Sequence, residues 1–471
     1  MTSRMSTADA AWLHMDRPTN LMVINSVLLF DRPVDWERVK VVTQERLVDR
    51  YPRFRQRVVE SRLPLQAPTW EDDPDFALEH HMHHLALPAP GDAAALQELV
   101  SDLMTMPLDR NRPLWHQYLV DGYGDGAAMI VRMHHCIADG IALAHVMLSL
   151  TDSHRRPAPA NGEQRRNGSR LVVGGLPIPR SRPLARVVGA GASLARQGMH
   201  IATSPSHAAR LAGAVARDGS TLLRLLLTPA DAASAIKGDP GVSRRVAWSE
   251  PISLSHVKRI AHAHDATVND VLLAAVSGAL RHYLQDRGSR VAEIQAMVPF
   301  NLRPLDWPVP RDLGNKFGLV MVPLPVGTSG SYRRLVEVHK RMQEIKRSRD
   351  APVSYGFLSV LGMVPELIER HVVDMFSAKG TAVMTNVPGP AEPVYLAGTP
   401  VRSVLVWAPT SGHIGMSVSI FSYRGEVVVG LMVDAALVPD PATIVGLMNS
   451  ELGELGKRSA GVHVRQREVV P

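Results

Sequence analysis

The chain has 471 residues, 45% of them hydrophobic and 21% charged. That length exceeds what one hydrophobic core usually organises, so two domains meeting at a junction are expected, and the composition excludes wholesale disorder. With 52 Lys and Arg against 45 Asp and Glu, the net charge is +7, which favours an anionic partner; no zinc-finger spacing, RNP-like aromatic pattern or basic zipper points to nucleic acid.

Cys136 is the single cysteine, which rules out an intramolecular disulfide and fits a reducing, cytoplasmic compartment. The first twenty residues lack the continuous apolar region of a secretory leader. No apolar run of about 18 residues occurs, so any membrane contact is expected to be peripheral.

In chain order, LMVINSVLLF (21–30) reads as a strand closed by the turn at Asp31, Arg32 and Pro33. WERVKVVTQERLVDR (36–50) places Trp36, Val39, Val42 and Leu47 among charges, the pattern of an amphipathic helix. WHQYLVDG and AAMIVRMHH flank the Gly-rich YGDG and predict a hairpin, after which IALAHVMLSL suits a buried helix. From about 152 to 245 the texture turns Pro-, Gly- and Arg-rich, predicting a loose crossing segment. There Arg210, Arg217 and Arg224 recur every seven residues, a solvated cationic stripe or a dock for an anionic lipid surface. Beyond it, ATVNDVLLAAVSGALRHYLQDRG predicts a helix capped by Thr267 and stopped at Gly288. AEIQAMVPF, KFGLVMVPLPV, TAVMTNVPGP and PVRSVLVWAP read as strands, and GMSVSIFSYRGEVVVGLMVD as a hairpin around Arg424-Gly425. Strands alternate with helices in both halves, which makes the class α/β or α+β with two sheets.

The stretch VRMHHCIADGIAL (131–143) carries the chemistry. An imidazole is largely neutral at cytosolic pH and can accept a proton. Where a strand runs into a loop, His135 is held rigidly with one nitrogen open, while His134 points to the other side and orients. Asp139 can fix the loop by hydrogen bonds, and Gly140 eases the turn into the helix. Three rival readings stand beside this one. A metal site at His135 and Asp139 lacks a third ligand. Cys136 as nucleophile is disfavoured because adjacent strand side chains diverge. A purely structural histidine pair is the plainest alternative. The second cluster, HHMHH at 80–84, would bring His80 and His84 together on a helix, but its flanks read as loop and short strand; surface or tunnel-mouth polarity is expected, with metal binding the lesser alternative.

His134, His135, Asp139 and Gly140 form H-H-x-x-x-D-G, and together with PLW (113–115), NDVLLA (269–274), NLRP (301–304), GN (314–315) and TNVPGP (385–390) the sequence resembles the bacterial wax ester synthase/diacylglycerol acyltransferase family. The H-H-x-x-x-D-G element alone would also admit peptide-synthetase condensation domains. One departure is AIKGDPGVSRR (235–245), where many relatives read closer to L-N-G-x-x-G-x-x-R-R; Lys237 replaces the Asn, while Arg244 and Arg245 remain.

The resemblance implies two chloramphenicol acetyltransferase-like subdomains, each a mixed sheet with flanking helices, forming a tunnel at their junction: residues 1–151 with the motif, a crossing segment at 152–245, and residues 246–471. It implies transfer of a fatty acyl group from a long-chain acyl-CoA to diacylglycerol or a fatty alcohol, with His135 as general base and no covalent intermediate. CoA is then substrate, and neither cofactor nor metal is expected. The protein is expected at the inner membrane or lipid droplets as a peripheral partner. Asn269 would order the site from the second half; Asp270 reads as half of a capping box with Thr267. Pro113, Leu114 and Trp115 would form tunnel wall or core, and TNVPGP a rigid turn. Arg303 could pair with an acid. The competing functions are a carrier-protein-dependent condensation-like or polyketide-associated acyltransferase, and a catalytically idle lipid-binding homologue.

Overall fold

The computed structural model describes residues 2–61, 67–153, 228–302, 313–348, 350–361 and 366–467. The arginine stripe, Arg303 and most of the crossing segment lie outside the described residues.

Two large sheets organise the chain. The first has five strands in the order Ser403–Trp407, Val23–Phe30, Gly126–His134, Trp115–Tyr123 and Met82–Ala86. The second runs Ile252–Ser253, Glu426–Asp434, Met416–Tyr423, Ala382–Pro388, Ile294–Asn301 and Phe317–Leu324, with Arg244–Trp248 also pairing to Glu426–Asp434. Both are mixed: Met82–Ala86 runs parallel to Trp115–Tyr123, and Ala382–Pro388 runs parallel to both its neighbours. The expected hairpins are present, and at Arg424-Gly425 both residues take positive φ (52° and 79°), the geometry that matches the twist of a two-residue hairpin loop.

The chain crosses between the sheets. Ser403–Trp407, from late in the sequence, adds to Val23–Phe30 in the first sheet. The strand Arg244–Trp248 straddles the end of the Arg-rich stretch and belongs to the second.

Period-two alternation sorts each strand's side chains. In the second sheet Ala296, Val322, Val418 and Val429 point into a core built on helix Val268–Asp286, which is buried nearly all round. Thr267 caps that helix with the expected box, and Gly288 ends it at φ +59°. In the first sheet Val27, Leu29, Ala128 and Ile130 pack under helix Ala93–Thr105. The opposite faces of the two sheets look at each other, and the site lies between them.

Candidate active site

Every residue of strand Gly126–His134 is buried, so its exit is tightly specified. Just beyond, the His135 amide donates to the Met22 carbonyl at 2.7 Å. Asp139 then does two jobs: its Oδ1 accepts the Ala142 amide at 2.9 Å, capping helix Gly140–Ser149, and its Oδ2 accepts the Lys316 amide at 3.0 Å. Two further bonds come from that second-half loop. The Gly314 amide donates to the Ile137 carbonyl at 3.2 Å, and Asn315 Nδ2 donates to the His135 carbonyl at 2.8 Å. The histidine loop is therefore strapped by residues some 180 positions away in sequence.

His135 is 5% exposed and its ring stacks on Trp12, centroids 4.3 Å apart and planes 20° apart, while Phe317 closes a three-ring cluster, 5.4 Å from His135 and 5.5 Å from Trp12. Burial pushes the His135 pKa down to about 4, so the imidazole is neutral at physiological pH. Nδ1 is sealed inside the protein without a partner, which leaves the Nε2 edge to meet the cavity. His134 turns away: its Nδ1 accepts the Cys136 amide at 3.1 Å, and its Nε2 lies 3.8 Å from Asp16. Cys136 is fully buried and its thiol is pushed up by that burial and by nearby Asp9, which disarms it as a nucleophile.

The cavity encloses about 2260 Å³ of atom-free space, its open mouth included. Its first wall is the inward face of the first sheet, including Ile24, Ser26, Val131, Met133 and Val406. Its second wall is the inward face of the other sheet, including Met297, Pro299, Leu319, Thr385 and Phe421. Helix Gly140–Ser149 closes one side and helix Glu366–Ser377, through Val372, Val373 and Phe376, another. The lining is mainly apolar, and His135 and Asp139 are its ionisable imidazole and carboxylate, joined by scattered neutral polar groups such as Ser26, Asn301, Thr385 and Asn386.

The remaining sequence candidates divide. Gly140 lines the cavity with a negative φ, so conformational freedom is not what it offers; a Cβ there would meet nothing within 4 Å, and the missing side chain keeps the space beside His135 open. Asn269 sits at the start of its helix and accepts from Asn386 Nδ2 at 2.8 Å, and Asn386 lines the cavity. Asp270 does not reach the cavity. It completes the capping box with Thr267 and binds His339 at 2.8 Å. Pro113, Leu114 and Trp115 do not line the cavity either. Trp115 is core, its indole donating to the Phe54 carbonyl, and Leu114 supports the site indirectly by accepting the His134 amide at 3.0 Å.

The 80–84 histidines fall on a short 3-10 turn and an edge strand, away from the cavity, so tunnel-mouth polarity does not describe them, whereas surface polarity does describe His80 and His84, which are exposed. His81 is buried against Trp115, His83 pairs with His116, and His84 with Asp121. Among the described residues no cluster of three His, Cys, Asp or Glu is arranged to hold a metal. Lys237 does not reach the cavity lining; its Nζ donates to the carbonyls of Ser377, Gly380 and His413, tying down the end of the wall helix. Arg244 joins Asp434 at 2.7 Å and the Thr19 carbonyl, bridging the two halves, while Arg245 is exposed.

Sequence reasoning missed Trp12, Phe317, Asp9 and Asp16. Asp9 is fully buried and accepts both the amide and Nδ2 of Asn315, while Arg53 donates to its other oxygen at 3.2 Å. The one legible signal was an acid among small apolar residues in TADAAWLH, with nothing to name its partner.

A family model described as the wax ester synthase/diacylglycerol acyltransferase catalytic domain matches residues 5–272, and the WS/DGAT C-terminal domain matches residues 313–456. A protein of Mycobacterium tuberculosis named a probable diacylglycerol O-acyltransferase is 29% identical over 451 residues, covering 93% of this chain and 92% of that one. Among solved structures, the wax ester synthase/diacylglycerol acyltransferase of Marinobacter aquaeolei superposes with a TM-score of 0.68 at 21% identity, covering 97% of this chain and all of that one. The first condensation domain of the calcium-dependent antibiotic synthetase gives 0.60 at 15% identity, covering 98% and 96%, so the two-sheet fold is common to both groups. On the family matches, which span most of its length, the chain belongs to the wax ester synthase/diacylglycerol acyltransferase family.

Proposed function

We propose that this protein moves a fatty acyl group from an acyl-CoA thioester to the hydroxyl of diacylglycerol or a long-chain alcohol, with His135 as general base. The observation that carries the reading is a neutral imidazole presenting its Nε2 edge to a large apolar cavity between two sheets. Nε2 takes the hydroxyl proton as the alcohol oxygen attacks the thioester carbonyl. The tetrahedral oxyanion collapses, the carbon–sulfur bond breaks, and the imidazolium returns the proton to the departing CoA sulfur. No covalent enzyme intermediate and no cofactor take part.

Burial keeps His135 in its base form but also lowers its affinity for the proton. The imidazolium is therefore formed together with the oxyanion, and the two charges stabilise each other in a low-dielectric site. The stacked indole of Trp12 adds a face for the cation. General-base assistance is worth about 10² to 10⁴-fold, so positioning within the cavity supplies much of the remainder. An apolar lining also withholds water, the competing acceptor.

Among the described residues no helix is long and apolar enough to cross a membrane. With lipid substrates on both sides of the reaction, a peripheral position at the inner membrane or a droplet surface suits it, and the +7 charge favours anionic lipid. The test is product analysis with purified protein given labelled palmitoyl-CoA or a palmitoyl carrier protein, each with dioleoylglycerol or hexadecanol. Ester formation from the CoA donor, lost in His135→Ala with folding intact, is expected. Turnover from the carrier donor alone, or an unaffected His135→Ala protein, would overturn the proposal.

A further inference from the structure

Leu313 and Gly314 both take left-handed φ, 50° and 92°, a costly pair of conformations that turns the chain sharply and delivers Asn315 to the back of the His135 loop. Asn315 is buried there, and its amide has one possible orientation. Nδ2 gives its two protons to oxygens, Asp9 Oδ1 at 2.8 Å and the His135 carbonyl at 2.8 Å, whereas the flipped amide would set three oxygens against one another. Oδ1 is thereby fixed on the other arm of the amide, buried and without a hydrogen-bond partner among the described residues. His135 Nδ1, the buried nitrogen of the ring, lacks one as well. Each such atom is costly alone, and two of them on groups already joined through the His135 carbonyl point to a bond between them.

Burial is the strongest influence on the His135 ring and opposes its protonation, while the ring's own carbonyl and the Asn315 side chain act the other way. A donor nitrogen facing the ring would oppose the imidazolium, so the favourable action is that of Oδ1. Neighbouring acceptors are engaged with other donors: Asp139 with the Ala142 and Lys316 amides, His134 Nδ1 with the Cys136 amide, and Asp9 with Asn315 and Arg53. We propose that Asn315 is the positioning residue of the base: its Oδ1 holds the proton on His135 Nδ1, which fixes the tautomer that leaves Nε2 bare for the acceptor's hydroxyl proton and keeps Nδ1 bonded when the ring becomes imidazolium. The assignment rests on the acyltransferase reading above. A neutral amide does this without bringing a carboxylate to the ring. Asp9 stands one residue behind and orients the amide, so its charge does not draw the imidazole into the protonated, inactive form.

The experiment reads the tautomer directly, by nitrogen NMR of protein isotope-labelled in histidine, with His135→Gln to assign the signal by its loss, alongside kcat and KM for palmitoyl-CoA and hexadecanol. Wild type is expected to carry the proton on Nδ1 at neutral pH. Asn315→Ala, checked for folding by circular dichroism, is expected to shift the proton toward Nε2 and to lose about 10- to 100-fold in kcat, the worth of a hydrogen bond to a charged group, with KM nearly unchanged. Asp9→Asn combined with Asn315→Asp exchanges acid and amide at constant charge and brings the carboxylate to Nδ1. In that variant the protonation of His135, followed by ring NMR and as the acid limb of kcat/KM, should move up from about 4 to about 5 or higher. The exchange keeps a hydrogen-bonded pair and an acceptor for Arg53, so it decides the matter even where Asn315→Ala does not fold. If wild type shows the Nδ1 proton and Asn315→Ala loses it while wild type transfers nothing from acyl-CoA, the acyltransferase reading fails and the positioning stands. A wild-type proton on Nε2, an unchanged tautomer in Asn315→Ala, or a ring titration unmoved by the exchange would overturn the assignment.

Discussion

The indole of Trp12 lies stacked on the imidazole of His135, 4.3 Å between centroids and 20° between planes, although the two come from the first helix of the chain and from a strand exit 123 residues later. This contact fixes the ring's plane and supplies an electron-rich face for the imidazolium formed in the transition state. Trp12→Leu is expected to lower kcat by about tenfold, up to the roughly 30-fold that a desolvated cation–π contact is worth, with a smaller effect on KM. Trp12→Phe retains a stacking face and should recover most of the loss. Steady-state kinetics on both variants, with circular dichroism to check folding, decide the matter; equal losses in the two would deny the cation a role.

The depressed pKa of His135 makes a pH prediction whose sign is definite. The base form is the active one and burial puts the pKa at about 4, so kcat/KM should hold level through pH 6.5 and fall only on an acid limb near 4. Stability follows the same linkage. Between pH 6.5 and 4 the unfolded chain binds a proton at this position that the folded chain refuses, so stability is lost as pH drops through that window, by on the order of 3 kcal/mol. His135→Gln should flatten that part of the Tm–pH curve. His14 works oppositely: its hydrogen bond to Glu369, then the Glu60 carboxylate 3.8 Å from its other nitrogen, raise it to about 9, so its contribution is whole below pH 6.5 and disappears as pH climbs through 9. His14→Gln should remove the alkaline slope and leave the acid one.

Asp9 and Asn315 tie the first helix to the loop that straps His135. Asp9→Ala strips Arg53 of its buried acid and Asn315 of its acceptor, and is expected to cost about 3 kcal/mol, read from urea midpoints. Asn315→Ala should cost less stability but lower kcat, because the His135 carbonyl loses its donor. The double variant should fall short of the sum, since both act through one network. Strict additivity in stability would show that the strap is not a unit.

Gly278 tests the fold apart from the site. A Cβ there would collide with Glu451 and Arg334, a buried ion pair whose acid also meets His282 at 2.9 Å. Gly278→Ala is expected to destabilise by about 3 kcal/mol or more, measured by thermal unfolding, because neither ion can be displaced from its partner without being left buried and unpaired. If Tm is unchanged, the helix packing there is looser than it looks.

Much of this was legible in the residues themselves. Alternation and turn chemistry marked the strands at 23–30, 126–134, 294–301 and 416–434, and Thr267 with Asp270 announced the helix they cap. These are local signals, decided by side-chain period and by backbone groups a few positions apart. The histidine pair and Asp139 were visible for the same reason, since the cap and the strand exit lie within one short stretch. For the 80–84 histidines surface polarity holds at exposed His80 and His84, but the burial of His81 against Trp115 was not legible, because adjacency in sequence says nothing about which neighbours an edge strand acquires.

What the sequence determined alone was therefore the inventory of elements, the membership of the motif, and the presence of a titratable group at a strand exit. Only the tertiary structure decided that Ser403–Trp407 completes the first sheet, that Trp12, Phe317 and Asn315 surround His135, and that one cavity is lined by His135 and by residues of both sheets. The physical reason is range. A cavity between two sheets is made by surfaces whose residues are hundreds of positions apart, and the burial that holds His135 neutral exists only once those surfaces have closed around it.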